Sequence, residues 1–314
     1  MAAAKLRVGA VNYLNTKPLV HRLERLAPQA ELIFDLPSRL ADGLSQRRFD
    51  VALIPSIEFF QDPSYRIVSN ACIACRGPVF SVKLFCRVPA ERIRSVALDE
   101  GSRTSAALAR ILLKERFGLE PALAPLPIGA TFDDTNADAV LLIGDRAIHS
   151  PVGAFAEVWD LGDEWSRWAK LPFVFAMWTA RADAELDGLD IALGEARDLG
   201  VVHLEQIAAV EAAPLGLTVP QCISYLRDHL HFYLGPREQR GLQLFYERAV
   251  EMKLAPPGRS LELDAHCSAA RYATDASSVG YLGNGAVSGG DAGDAASVGK
   301  RVGHQLSQSP VPSP

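Results

Sequence analysis

Val8-Gly9-Ala10-Val11-Asn12-Tyr13-Leu14-Asn15-Thr16-Lys17-Pro18-Leu19 is the stretch from which the rest of the 314-residue chain is read. Its first half, with Leu6, Val8, Ala10 and Val11 apolar, has the pattern of a short buried strand. Its second half turns polar and meets a proline. Pro18 suits the first turn of a helix, where a missing N–H costs nothing, and it pushes Lys17 out of helical backbone. Asn12 to Lys17 are therefore expected to form a strand-to-helix loop carrying Asn15 and Thr16. In open α/β sheets, ligands bind in such loops at the carboxyl ends of strands. The same two side chains also suit the plain task of satisfying turn backbone.

The pattern repeats outward. Pro18 to Leu26 are expected to be helical, Glu31 to Asp35 a second strand, and Pro37 to Arg47 a helix with Leu40 and Leu44 four apart. Phe49 to Ile54 is a third strand, apolar at its centre as buried parallel strands are, and it ends in the polar turn Pro55-Ser56-Ile57-Glu58. Three such units predict a parallel, doubly wound α/β sheet. Residues 65–88 read as mixed strands, Tyr65 to Val68, Cys72 to Cys75 and Val79 to Cys86, with a turn at Arg76-Gly77-Pro78 followed by Ser81. A second α/β pattern follows: a strand Ile93 to Leu98, the loop Asp99 to Ser105, a helix Ala106 to Phe117 closed by Gly118, and a strand Ala139 to Ile143 ending in Gly144-Asp145. Pro172 to Trp178 is a strand returning to the first pattern, and Ala182 to about Leu254 is mostly helical. This interruption predicts two lobes, one of residues 1–88 and 175–257 and one of residues 89–174, with a cleft between them. Residues 258–314 form an extension. From about Gly283 it is rich in Gly, Ala, Ser and Asp, a composition expected to be disordered.

Composition narrows the function. Hydrophobic residues at 48% and charged residues at 22% are ordinary globular values, and a net charge of −5 argues against nucleic acid or an anionic membrane as partner. No apolar run is long enough to span a bilayer, and the N-terminus has no apolar leader, which predicts a cytoplasmic protein. Five cysteines, an odd count, fit a reducing compartment.

Ser102-Arg103-Thr104-Ser105 stands between a strand and a helix. Backbone N–H groups at such an end bind carboxylate or phosphate, and the added hydroxyls and guanidinium strengthen it, although serine there is also a plain N-cap. Asp145 is expected to cap the next helix or to touch a ligand. Glu58 is a candidate base or a backbone-bonded buried carboxylate. Trp159, Trp165 and Trp168 are expected to pack rather than to stack on a ligand. Cys72 and Cys75 face opposite sides of a strand, His229 and His231 splay apart, and no G-x-G-x-x-G or G-x-S-x-G occurs. The glycines near Lys300 lack the spacing of a phosphate loop. Neither metal nor cofactor is expected.

Taken in order, residues 8–19, the turn Asp50 to Glu58, Gly77 to Ser81, Ser102 to Ser105, Leu142 to Asp145 and Leu171 to Trp178 resemble the chorismate dehydratases of the futalosine-dependent menaquinone pathway, over roughly residues 5–257. The resemblance implies the two-lobed fold of type II periplasmic binding proteins, with the substrate chorismate in the interlobe cleft. It also implies conversion of chorismate to 3-[(1-carboxyvinyl)oxy]benzoate and water. The functional asparagine and serine of that family fall on Asn15 and Ser81, with Thr16, Ser56, Ser102, Arg103, Thr104, Ser105 and Asp145 as candidate substrate ligands. A solute-binding protein or cytoplasmic ligand sensor of the same fold, without catalysis, is the alternative.

Overall fold

The strand read from Val8 is β1 (Leu6–Val11) in a computed structural model that describes residues 5–149, 155–261 and 263. It is flanked in parallel by β2 (Ala30–Asp35) and β3 (Val51–Pro55). Instead of one helix from Pro18, the chain winds as a 3-10 segment, Leu14–Val20, with Pro18 inside it, and then as α1 (Leu23–Leu26). Arg22, in left-handed backbone at φ 58°, separates the two. Asn15 therefore sits in a short tight helix rather than in an open loop. The reason is tertiary: a Cβ on Gly200 would lie 2.0 Å from the Pro18 carbonyl oxygen, so a later helix is seated directly on this segment. α2 (Pro37–Ser45) and α3 (Ser56–Phe59) follow β2 and β3. β4 (Tyr65–Cys75) is one eleven-residue strand where two were expected. Its central polar residues are satisfied, Ser69 by the Ala71 N–H and Asn70 by Arg197, so the strand runs on.

β5 (Val82–Cys86) belongs to a second sheet, pairing antiparallel with β8 (Ala139–Ile143) and β9 (Glu157–Asp160). The expectation that residues up to 88 stay with the first sheet is thus corrected, and the first connection between sheets falls at residues 76–81. An apolar run shows that a strand is buried but not which sheet buries it. β6 (Ser95–Asp99) is parallel to both β7 (Ala122–Leu126) and β8. β7, a largely exposed edge strand, is apolar in sequence but carries Pro125 inside it, which argues against a strand. α4 (Arg103–Phe117) joins β6 to β7 and ends, as expected, at Gly118 with φ 68°. α5 (Asp145–Ile148) and α6 (Leu161–Ala169) flank β9.

β10 (Phe173–Arg181) returns to the first sheet, antiparallel to both β3 and β4. Trp165 pins this return. Fully buried between Phe173 and Phe245, it donates its indole N–H to the Pro172 carbonyl at 3.1 Å. Removing such a ring costs about 3–5 kcal/mol. α7 (Leu189–Val202), α8 (Leu204–Glu211) and α9 (Val219–Ser224) precede β11 (His231–Tyr233), a short edge strand beside β4, and α10 (Pro236–Glu251) is the last described helix. The described strands thus form two mixed sheets, ordered β11-β4-β10-β3-β1-β2 and β7-β6-β8-β5-β9. No described helix is long and apolar enough to cross a membrane. The expectation about the tail beyond Gly283 lies outside the described residues.

Candidate active site

The carboxyl ends of β1, β3 and β8, the amino end of β5 and the first turn of α4 line a cavity that opens to solvent, with about 520 Å3 of free space including its mouth. Its walls are mostly apolar, with Val11, Ile73, Val82, Ile143 and Phe175 among them. Its polar groups are Tyr13, Asn15, Ser81 and the run Ser102 to Ser105. Apolar walls with a few convergent polar groups are what a small-molecule site offers.

Three features place Ser81. Phe80 stands in left-handed backbone at φ 67°, a costly conformation for a bulky residue. The Asp160 carboxylate accepts the Val79 and Phe80 N–H groups at 2.9 and 2.6 Å, while also capping α6 through Gly162 and Asp163. The Ser81 carbonyl accepts the Gly144 N–H at 2.9 Å. One carboxylate therefore fixes both a helix start and the turn that presents the serine. Gly144 itself has φ 65°, and a Cβ there would meet the Tyr13 ring at 2.9 Å, so the tyrosine after β1 lies flat on the end of β8.

Asn15 and Ser81 come together through a residue that the sequence reading missed. The Tyr225 hydroxyl donates to Ser81 Oγ at 2.8 Å, and the Asn15 side chain lies beside the same phenol. Tyr225 is buried, and burial pushes its ionisation upward, so it remains a neutral phenol. Tyr13 is pushed up to about 12, first by burial and then by the nearby Asp99 charge.

The first turn of α4 forms the opposite wall. Ser102 is its N-cap residue, yet its side chain caps no backbone N–H, so the first-turn donors are not closed off by the cap. Arg103 lines the cavity, but its guanidinium is engaged by Asp42 of α2 at 2.8 Å and Glu58 of α3 at 3.1 Å. Thr104 accepts the Ile57 N–H at 3.2 Å. Arg103 and Thr104 thus rivet the second sheet's helix to the first sheet's, leaving Ser102 and Ser105 as the less engaged hydroxyls of the run.

Four predicted site residues do not line the cavity. Thr16 is buried and donates to Asn15 Oδ1 at 3.3 Å. Ser56 is buried and donates to the Val174 carbonyl at 2.7 Å. Asp145 is the first residue of α5 rather than its cap, and it accepts the Leu14 N–H at 3.3 Å, joining the two sheets' loops. Burial raises its ionisation, against the pull of that N–H. Glu58 is held by Arg103, and burial pushes its carboxyl up despite that cation. Nothing near Tyr225 in sequence announces it, since it is 144 positions from Ser81. The tryptophans pack as expected: Trp159 stacks on Phe117, and Trp168 tilts against Trp165. The Cys72 and Cys75 thiols are fully buried, and burial raises both, which keeps them protonated.

A family model described as menaquinone biosynthesis matches residues 6–251. A chorismate dehydratase of Thermus thermophilus is 31% identical over 269 residues, which are 79% of this chain and 96% of that protein. A crystal structure from Archaeoglobus fulgidus superposes with a TM-score of 0.65 at 19% identity, over 81% of this chain and 100% of the other. The periplasmic aliphatic sulphonate binding protein of Escherichia coli gives 0.54 at 18% identity, over 81% and 94%. The architecture is therefore that of the periplasmic binding proteins.

Proposed function

The chain belongs to the menaquinone-biosynthesis family, and from that premise we propose that it is a chorismate dehydratase, removing water from chorismate to leave 3-[(1-carboxyvinyl)oxy]benzoate. The observation that carries this reading is the cavity in which Asn15 and Ser81 meet through Tyr225, opposite the first turn of α4.

The elimination takes the C4 hydroxyl and the C3 hydrogen, and the ring becomes aromatic. Loss of that hydrogen pushes charge through the ring alkene onto the ring carboxylate. Donors fixed on those oxygens stabilise the transition state more than the ground state. The α4 turn, with Ser102 and Ser105, has the donors to hold this carboxylate. Asn15 and Ser81 are poor bases at neutral pH, so in this reading they orient the leaving hydroxyl and the ring. The enolpyruvyl carboxylate of the substrate takes the proton. Glu58, the other candidate base, is tied to Arg103 outside the cavity lining and acts as an ion-pair partner. The two sheets act as the cores of two lobes that close on the substrate, with the connections at residues 76–81 and 170–172 as the hinge. The buried thiols suit a cytoplasmic setting.

The test is incubation of purified protein with chorismate, followed by chromatography and mass spectrometry. Conversion to a product lighter by one water supports the reading. Chorismate bound but returned unchanged would make the protein a binding protein instead.

A further inference from the structure

Ser81, Tyr225, Asn15 and Thr16 each carry a hydroxyl or amide, and their contacts define a direction. Tyr225 has one hydrogen, and it points at Ser81 Oγ, 2.8 Å away. Its oxygen is then left with acceptor capacity alone, beside the Asn15 side chain. The Asn15 oxygen accepts from the Thr16 hydroxyl at 3.3 Å, which leaves the amide nitrogen as the donor of that side chain. With one of its two lone pairs taken by Tyr225, Ser81 still has its own proton to offer, and Ser81 lines the cavity.

We propose that Tyr225 is a positioning residue that sets this direction, so that the Ser81 proton stays free to be offered as a hydrogen-bond donor to the leaving hydroxyl of the substrate. The inference rests on the dehydratase reading and deepens it. Tyr225 is absent from the lining of the cavity, so its effect passes through Ser81. The local backbone is unusual in the same sense. Tyr225–His229 winds as a π-helix, a form concentrated at functional sites, and it follows directly on α9. Burial denies the phenol an ionised state, so the direction holds throughout the ordinary pH range. A departing hydroxide needs a donor, and a serine turned the other way offers only a lone pair.

The other face of Tyr225 borders a second cavity of about 620 Å3 beside Phe80 and His229, so removing the whole ring opens space on that side. The informative variant is therefore Tyr225→Phe, which keeps the ring and deletes the hydrogen bond. Wild type, Y225F, S81A and the double variant are compared for kcat, KM and thermal unfolding. Y225F is expected to lower kcat by about tenfold or more, with KM within about twofold. In S81A the same change should cost nothing further, because the group it directs is gone. A Y225F enzyme with wild-type kcat, or a loss equally large in the S81A background, overturns the proposal. Y225F that lowers melting and KM but leaves kcat intact shows a purely structural tyrosine and also overturns it. The wild-type rate tests the dehydratase reading separately. An inactive wild type in which Y225F and S81A still couple in thermal unfolding supports the directed bond and overturns the reaction instead.

Discussion

Two turns at the carboxyl ends of parallel strands face each other across the cavity, and they are built differently. After β1 the chain enters a seven-residue 3-10 segment that is pinned from behind by α7 and presents side chains, Asn15 foremost. After β6 it enters a regular fifteen-residue helix that presents its first turn of backbone donors. The first turn sets Asn15 beside Tyr225, whose hydroxyl is hydrogen-bonded to Ser81. The second is joined to the opposite sheet by Arg103 and Thr104. A reacting edge needs side chains fixed in orientation, and a holding edge needs a donor cluster fixed in place. The contrast predicts that chemistry and affinity divide between the two sides.

The largest expected effect is on the side-chain edge. Asn15→Ala and Ser81→Ala should each lower kcat by about a hundredfold or more, while the dissociation constant of chorismate, measured by calorimetry, changes by less than about threefold. A collapse in affinity with kcat preserved would invert the comparison.

Next comes the helix edge. Ser105→Ala or Thr104→Val should raise KM, or lower kcat/KM, by about ten- to a hundredfold, since charge-assisted hydrogen bonds are worth about 1.5–3 kcal/mol each and 1.4 kcal/mol is about tenfold. Thr104 acts here through its bond to Ile57, Ser105 through the cavity. Steady-state kinetics with both variants unchanged would place the carboxylate elsewhere.

A smaller effect sharpens the role of Glu58. Glu58→Gln should keep kcat within about tenfold of wild type; abolished turnover in a folded, chorismate-binding variant would make Glu58 the base. Burial raises the Glu58 carboxyl, so it protonates at a higher pH than an exposed glutamate and then releases Arg103. Wild-type kcat/KM should therefore fall on the acid side, and E58Q should lose that limb. Stability runs the other way. A carboxyl raised on folding contributes stability that is full in acid and is lost as pH rises through its folded value. An acid loss of activity without an acid loss of melting temperature thus identifies the ion pair, not unfolding, as the cause.

The parts legible in the sequence were those with a local signal. β1, β3, β8 and β10 carry apolar runs, and α4 has both a polar start and a terminal glycine, so each stands close to where its residues put it. The sheet to which β5 belongs is decided by pairing with β8 and β9, a contact across more than fifty residues that no run of five apolar residues encodes. β11 has three residues and β7 is exposed, so neither has a periodic signature. In the site, Asn15, Ser81 and the Ser102 to Ser105 run were visible as polar interruptions at strand ends. Tyr225 was not, because an aromatic in a helical stretch reads as core. The Arg103 guanidinium, expected to strengthen the anion site, is engaged by Asp42 and Glu58, which lie on two other helices and so leave no local signal of the pairing.

That ion pairing has a consequence for ionic strength. The Arg103, Asp42 and Glu58 side chains are 36%, 44% and 21% exposed, so dissolved ions reach them. The Tyr225 to Ser81 bond is buried and uncharged. The screening length shrinks from about 10 Å at 0.1 M to about 3 Å at 1 M. Added sodium chloride therefore loosens the rivet between the sheets while leaving the hydrogen bonds around Ser81 as they are. KM should climb with salt at nearly constant kcat, and the climb should be shallower in E58Q, which has one fewer charge to screen. The electrolyte then separates the two sides of the cavity without any change to the residues that line it.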